Sequence, residues 1–285
     1  MFPMQNLQPR IILDGLCFGE GPRWHNGKLW FSDMHDHVVR TLDLAGNSEV
    51  IVEIPGQPSG LGFMPDGSLL VVSMTDRRLL RFTNKRLSEV ADLSKLASFH
   101  LNDMLVDSFG NAFIGNFGYD LNAGASPQNA ELICVTPTGQ CSIVAKDLQF
   151  PNGMVLTANG RKLIIAETFG RRLTVYDIDK HQKLSNKQLW ADLDPFYPDG
   201  ICLDANNDIW VAAPTSNAIF RVQQGGKIAQ TIELEYQSYA CMLGGKERRT
   251  LFILTSKSSN PAECRENRSA RIEIVEVETP GAGLP

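Results

Sequence analysis

One pattern recurs six times along this 285-residue chain. Each copy opens on a small or polar residue, usually followed by glycine, and runs into an apolar strand. A turn follows, then a second apolar strand that ends on small or polar side chains. Self-similarity at a fixed period constrains a fold more than composition does, because one supersecondary unit must be stacked or closed upon itself. The copies open at Glu20, Ser59, Asn102, Asn152, Asp199 and Ala240, roughly 40–50 residues apart. Their turns fall at Asn26-Gly27, Asp66-Gly67, Phe109-Gly110, Asn159-Gly160, Asn206-Asn207 and the charged stretch 246–249. A third strand follows in most copies (78–82, 172–176, 218–222) and a weaker fourth at 230–234. Four short antiparallel strands per repeat predict an all-β, six-bladed β-propeller with four-stranded blades, one domain across 1–285.

A propeller must close its ring. Residues 10–15 read as a lone strand before the first copy, and 271–278 as the last strand of the sixth. Closure is expected by the N-terminal strand joining the sixth blade on its outside, which removes a raw sheet edge. Residues 281–285 read as a loose tail. The stretches 119–130 and 256–269 read as loops, the first near the expected site.

Charge and composition exclude several classes. The net charge is −5, and no basic stripe is present, so a nucleic-acid partner is not expected. No stretch approaches the roughly 20 apolar residues that span a bilayer. No positive-then-apolar leader opens the chain. The six cysteines (Cys17, Cys134, Cys141, Cys202, Cys241, Cys264) are scattered, without metal-knuckle spacing. Reduced thiols in a cytoplasmic protein are expected.

In a propeller the innermost strand of each blade lines the central channel, so the six opening residues converge near the axis. Two carboxylates, Glu20 and Asp199, then meet two carboxamides, Asn102 and Asn152. Crowded acids repel unless a cation balances them. All-oxygen donors suit one hard divalent ion, Ca²⁺ first, then Mg²⁺ or Mn²⁺; Zn²⁺ or Fe²⁺ would fit the donor set less well. A single Asn-Gly or Asp-Gly pair is only a turn signal. Four oxygen-bearing side chains in one register of a sixfold repeat are a ligand set. His35 and His37 share an i, i+2 face but fit a solvated surface loop. Ser32, Ser73 and Thr168 lie in no nucleophile elbow, which argues against a serine hydrolase.

The motifs Glu20-Gly21-Pro22, His100-Leu101-Asn102-Asp103, Pro151-Asn152-Gly153 and Pro198-Asp199-Gly200 resemble those of the senescence marker protein (regucalcin)/gluconolactonase/luciferin-regenerating enzyme family. The likeness runs from about residue 11 to 277. It implies a six-bladed propeller holding one divalent ion, and a metal-dependent hydrolase of small γ- or δ-lactones. By the same resemblance Glu20, Asn152 and Asp199 match metal ligands, and Asp199 the catalytic proton acceptor and donor. Asn102 matches a substrate-contacting residue that also reaches the metal in fluorophosphatase-like relatives. Asp120 falls where sugar-lactonase members carry a substrate-binding acid. His100 stands where those members have arginine, and histidine cannot reproduce a guanidinium fork on sugar hydroxyls. With Phe117, Tyr119, Phe169, Tyr197 and Tyr239 available as an apolar rim, a less polar lactone is expected beside the sugar lactone. A phosphotriesterase or fluorophosphatase on the same site, and a calcium-binding propeller without turnover, are the alternatives.

Overall fold

The computed structural model describes residues 7–283; residues 1–6, and residues 284–285 of the expected tail, lie outside the described residues. Six four-stranded antiparallel sheets follow one another around a ring. Blade 1 is Gly19–His25, Lys28–Asp33, Val38–Leu42 and Ser48–Glu53, from the axis outward. Blades 2, 3 and 4 begin on the axis with Pro58–Phe63, Leu101–Val106 and Pro151–Leu156. Blade 5 begins with Ile201–Leu203 and blade 6 with Gln237–Gly244. The N-terminal strand Arg10–Leu16 pairs antiparallel with Ala270–Glu276 and closes blade 6 from outside, as the sequence predicts. Each innermost strand neighbours the next, and the sixth returns to the first.

The residue after each opening position explains how the ring packs. These glycines sit where two inner strands touch, not in turns. A Cβ on Gly60 would lie 2.3 Å from the backbone nitrogen of Met104, and one on Gly200 2.6 Å from the Cα of Ala240. Only hydrogen fits there. Gly200 N–H then donates to the Tyr239 carbonyl at 2.8 Å, and Gly153 N–H to the Asp199 carbonyl at 3.2 Å. Blades 3 and 6 are the exceptions; blade 6 carries the buried Cys241. Blade 3 carries Asp103 at this position, buried against Arg23 of blade 1 at 3.2 Å.

Between blades the packing is apolar. One cluster joins Val155, Leu173 and Trp190 of blade 4 to Ile209, Val211 and Phe220 of blade 5. Side chains of period-2 strands alternate between the two faces, so each blade seals against both neighbours. At about 25 cal/mol per Å² of apolar surface removed from water, these seams are the dominant stabilising term.

Two expectations are corrected. Residues 256–269 are not all loop, because Pro261–Asn267 forms a short helix. The Asn260 side chain caps it, accepting from Ala262 N–H at 2.9 Å and Glu263 N–H at 3.3 Å, and proline holds the first helical turn. Nor is the whole C-terminus loose. Gly281 pairs with Asp204, and Ala282 N–H donates to the Leu203 carbonyl at 3.0 Å, so these residues are tied to blade 5.

Candidate active site

A cavity of about 570 Å³ opens at one end of the central channel. Glu20, Asn102, Asn152 and Asp199 line it together, so the four predicted oxygen donors do converge. The remaining opening residues, Ser59 and Ala240, are buried and do not line it. The inner strands shift register beside these positions, between Glu20 and Arg23, Leu101 and Met104, and Pro151 and Met154. A bulge re-aims a side chain, here towards the axis rather than into a seam between blades. Asp199 lies two residues before its strand, held by its N–H donating to the Ala212 carbonyl at 2.9 Å.

Both amides are turned by their nitrogens. Asn102 Nδ2–H donates to the Pro151 carbonyl at 3.1 Å, and Asn152 Nδ2–H to Thr168 Oγ1 at 3.2 Å. Thr168 in turn donates to the Pro198 carbonyl at 2.8 Å, which fixes its role as acceptor for the amide. With the nitrogens engaged, the carbonyl oxygens are left for the cavity. Among the described residues, Asp199 Oδ1 is buried without a hydrogen-bond partner.

The electrostatics of the two acids follow. Burial pushes the Glu20 carboxyl well above the usual carboxylate range, and the charges of Asp199 and Asp103 push the same way; the Gly21 N–H and Arg23 oppose weakly. Asp199 is likewise raised by burial, then by Asp103, against a hydrogen bond from Asn152. Two unneutralised acids beside two free amide oxygens form a site short of positive charge. That donor set fits a hard divalent cation. No cluster of three or more His, Cys, Asp or Glu side chains suited to a metal occurs among the described residues, consistent with a set half made of amides.

His100 and Phe117, predicted to contact substrate, line the cavity. Burial lowers the His100 pKa, against the nearby Asp120 charge. Tyr119 and Asp120 are not part of the lining. Tyr119 is buried behind it, its ring 6.4 Å from Phe150 and 6.3 Å from Phe169. Asp120 Oδ1 accepts the Ala123 N–H at 3.0 Å and closes its own loop.

The pair His35 and His37 divides, and the expectation of two solvated histidines is corrected for His35. It is buried, lines the cavity and lies tilted against the Phe18 ring at 5.1 Å. Its Nδ1 accepts from the Gln57 amide at 2.7 Å, and burial lowers its pKa to about 4. Its neighbour Asp36 is bound by Arg268 at 2.9 Å and Arg40 at 3.1 Å. Phe150 and Gln57 also line the cavity, though nothing in their types suggests a site. Each precedes a proline and has a left-handed backbone, φ 62° and 71°. Such geometry costs on the order of 1–3 kcal/mol and concentrates where a side chain must be aimed.

A closed ring of six four-stranded blades with an acid-and-amide floor at one channel mouth defines a class of propellers with an axial cavity. Within that class, residues 18–257 match the family model described as the SMP-30/Gluconolactonase/LRE-like region. The chain belongs to this family. A regucalcin from Gallus gallus is 20% identical over 259 residues, covering 88% of this chain and 87% of the relative. A 6-deoxy-6-sulfogluconolactonase from Pseudomonas putida is 23% identical over 264 residues, 89% of this chain and 88% of the relative. Among solved structures, a calcium-binding protein, regucalcin, from Agrobacterium tumefaciens superposes with a TM-score of 0.83 at 21% identity, covering 98% and 97% of the two chains. That likeness bears on the fold.

Proposed function

We propose that the protein is a metal-dependent lactonase whose cavity floor holds one divalent cation, Ca²⁺ first among candidates. The observation that carries this reading is the floor itself: a half-buried Glu20 and a buried Asp199, both raised above their usual range, an unpartnered Asp199 Oδ1 and two amide oxygens left free. Family membership supports the reaction class, since the family's name includes gluconolactonase and a relative over most of the chain is named for a sugar lactone. Glu20, Asn152, Asp199 and Asn102 would hold the ion. When bound, it supplies Lewis-acid polarisation of the lactone carbonyl and neutralises the developing oxyanion.

The chain's own residues do the rest. Asp199 accepts a proton from the attacking water as its oxygen bonds to the carbonyl carbon. It returns the proton to the ring oxygen as the ring C–O bond breaks, giving the hydroxy acid. Thr168 holds the Asn152 amide in one orientation. His100 and Asn102 orient the ring. We assign all six blades to one working domain. Its six unbonded cysteines suit a reducing compartment, and we place it in the cytoplasm.

A pH-indicator assay of γ- and δ-lactones, run with calcium and with a chelator, tests the proposal. Hydrolysis should require the ion, and Asp199→Asn should lower kcat at least about 100-fold while folding normally. Turnover of every lactone at the background rate, or an undiminished Asp199→Asn variant, would refute it.

A further inference from the structure

We propose that the outer part of the cavity is a subsite for an uncharged aryl or alkyl arm, so that the preferred substrate is a neutral, apolar-substituted lactone rather than a polyhydroxylated or anionic one. The inference rests on the lactonase reading for the ring that is opened, while the subsite stands on observations of its own.

One wall is a continuous run of rings. Phe117 lies 4.5 Å from Phe150, Phe150 4.9 Å from Phe169, and Phe169 6.3 Å from Tyr197, centroid to centroid. All four line the cavity. Phe150 is held there by a left-handed backbone before Pro151, a conformation a bulky side chain adopts only when its surroundings enforce it. Phe169 remains 39% exposed, an aromatic face kept at the mouth where burial in a neighbouring seam would be more favourable. An apolar arm lying along this wall removes surface from water on both sides of the contact.

The charges agree. Among the described residues no lysine or arginine lines the cavity, and its formal charges are those of Glu20 and Asp199. The basic group that touches the aromatic wall at Tyr197, Arg171, is engaged by Asp194 at 2.6 Å and the Tyr197 hydroxyl at 2.5 Å. It also lies over the Tyr197 ring at 4.6 Å. A sulfonate or phosphate on the substrate would therefore lack a cationic side chain to meet it. Part of the polar lining is committed internally: Gln57 donates to His35 at 2.7 Å, and Tyr239 donates to Gln237 at 2.7 Å. A sugar hydroxyl that drew on the Gln57 donor or the Tyr239 hydroxyl would compete with these bonds. The volume of about 570 Å³ is far more than a bare five- or six-membered lactone fills, and lies within the range of sites for larger ligands.

The test uses the purified full chain in calcium buffer. Hydrolysis of γ-lactones with arms from methyl to octyl is compared with that of glucono-δ-lactone. The kcat/KM should rise about threefold per methylene across the early members, and the sugar lactone should fall at least tenfold below the octyl compound. Phe169→Ser, a substitution at a half-exposed position that leaves the inter-blade seams intact, should lower kcat/KM for the octyl lactone at least tenfold more than for the methyl one. Phe117→Ala, checked by thermal unfolding, should act in the same direction. Binding of the uncleavable octyl γ-lactam, followed by calorimetry, is read independently of turnover. If no lactone is hydrolysed but the lactam binds and Phe169→Ser weakens it, the subsite is upheld and the lactonase reading falls. A flat alkyl series, or a preference for the sugar lactone, overturns the subsite and leaves the lactonase reading standing. Absence of lactam binding likewise overturns it.

Discussion

Replacing Arg23 by methionine probes the charge balance beneath the site. Arg23 and Asp103 are both buried, 4% and 7% exposed, and pair at 3.2 Å across blades 1 and 3. Arg23 also donates to the Pro22 carbonyl at 2.7 Å and to the Met104 carbonyl. Methionine keeps the length and apolar contact of the side chain and removes its charge and donors. Asp103 would keep only the Met104 N–H at 2.7 Å, while its charge bears on both Glu20 and Asp199. Breaking a buried pair from one side costs about 3–5 kcal/mol. At roughly 2–3 °C per kcal/mol for a chain of this size, Tm should fall by about 6–15 °C. The sign with pH follows from Asp103, whose carboxyl burial already raises. Without Arg23 it is raised further, and the folded chain then binds more protons than the unfolded one. Stability relative to wild type should thus fall as pH rises above the ordinary carboxylate range. Urea unfolding in chelator at pH 5 and pH 8 measures both effects. Adding Asp103→Asn should restore most of the loss. A deficit below about 1 kcal/mol at pH 8, or one independent of pH, would refute the reasoning.

Thr168→Val keeps the shape of the threonine but frees the Asn152 amide to rotate, because Thr168 Oγ1 is the acceptor that fixes it. Calcium affinity should fall about 10-fold or more with a small change in Tm, measured by calorimetry; unchanged affinity would remove Thr168 from the site's support. Metal-free Glu20→Gln should be more stable than wild type, and its advantage should grow from pH 5 to pH 8. The Glu20 carboxyl is raised chiefly by burial, so the wild-type folded state is penalised above the unfolded pKa. The comparison cancels the opposite contribution of His35, whose lowered pKa of about 4 makes stability rise with pH up to the ordinary histidine value. Urea midpoints at three pH values decide it, and a constant or shrinking difference would contradict the assignment.

The blades and the floor of the site were legible in the sequence for one physical reason. A closed ring brings the same register position of every repeat to one axis, so Glu20, Asn102, Asn152 and Asp199 could be placed together without any knowledge of side-chain packing. The following glycines looked like turn signals, yet Gly60 and Gly200 serve close approach of neighbouring inner strands, and composition cannot tell the two apart. His35 was missed because the groups that enclose it, Gln57 and Phe18, come from elsewhere in the chain. Phe150 and Gln57 were missed because their left-handed backbones carry no glycine to announce them. The helix Pro261–Asn267 did carry a signal, asparagine before proline with an acid two residues on, but one short turn of pattern is outweighed by the surrounding polar residues. The hold on Gly281 by blade 5 is a backbone bond that no side chain encodes.

The central claim is that Glu20 and Asp199, with the two amide oxygens, form a cation site. Calcium titration by calorimetry tests it most directly, on metal-stripped wild type beside the Glu20→Gln/Asp199→Asn double variant. The account predicts saturable binding of one ion to the wild type, a stabilisation of about 2.7 kcal/mol once calcium exceeds its Kd about 100-fold, and loss of both in the double variant. Equal calcium binding by the two proteins, or none by the wild type at millimolar calcium, would contradict it.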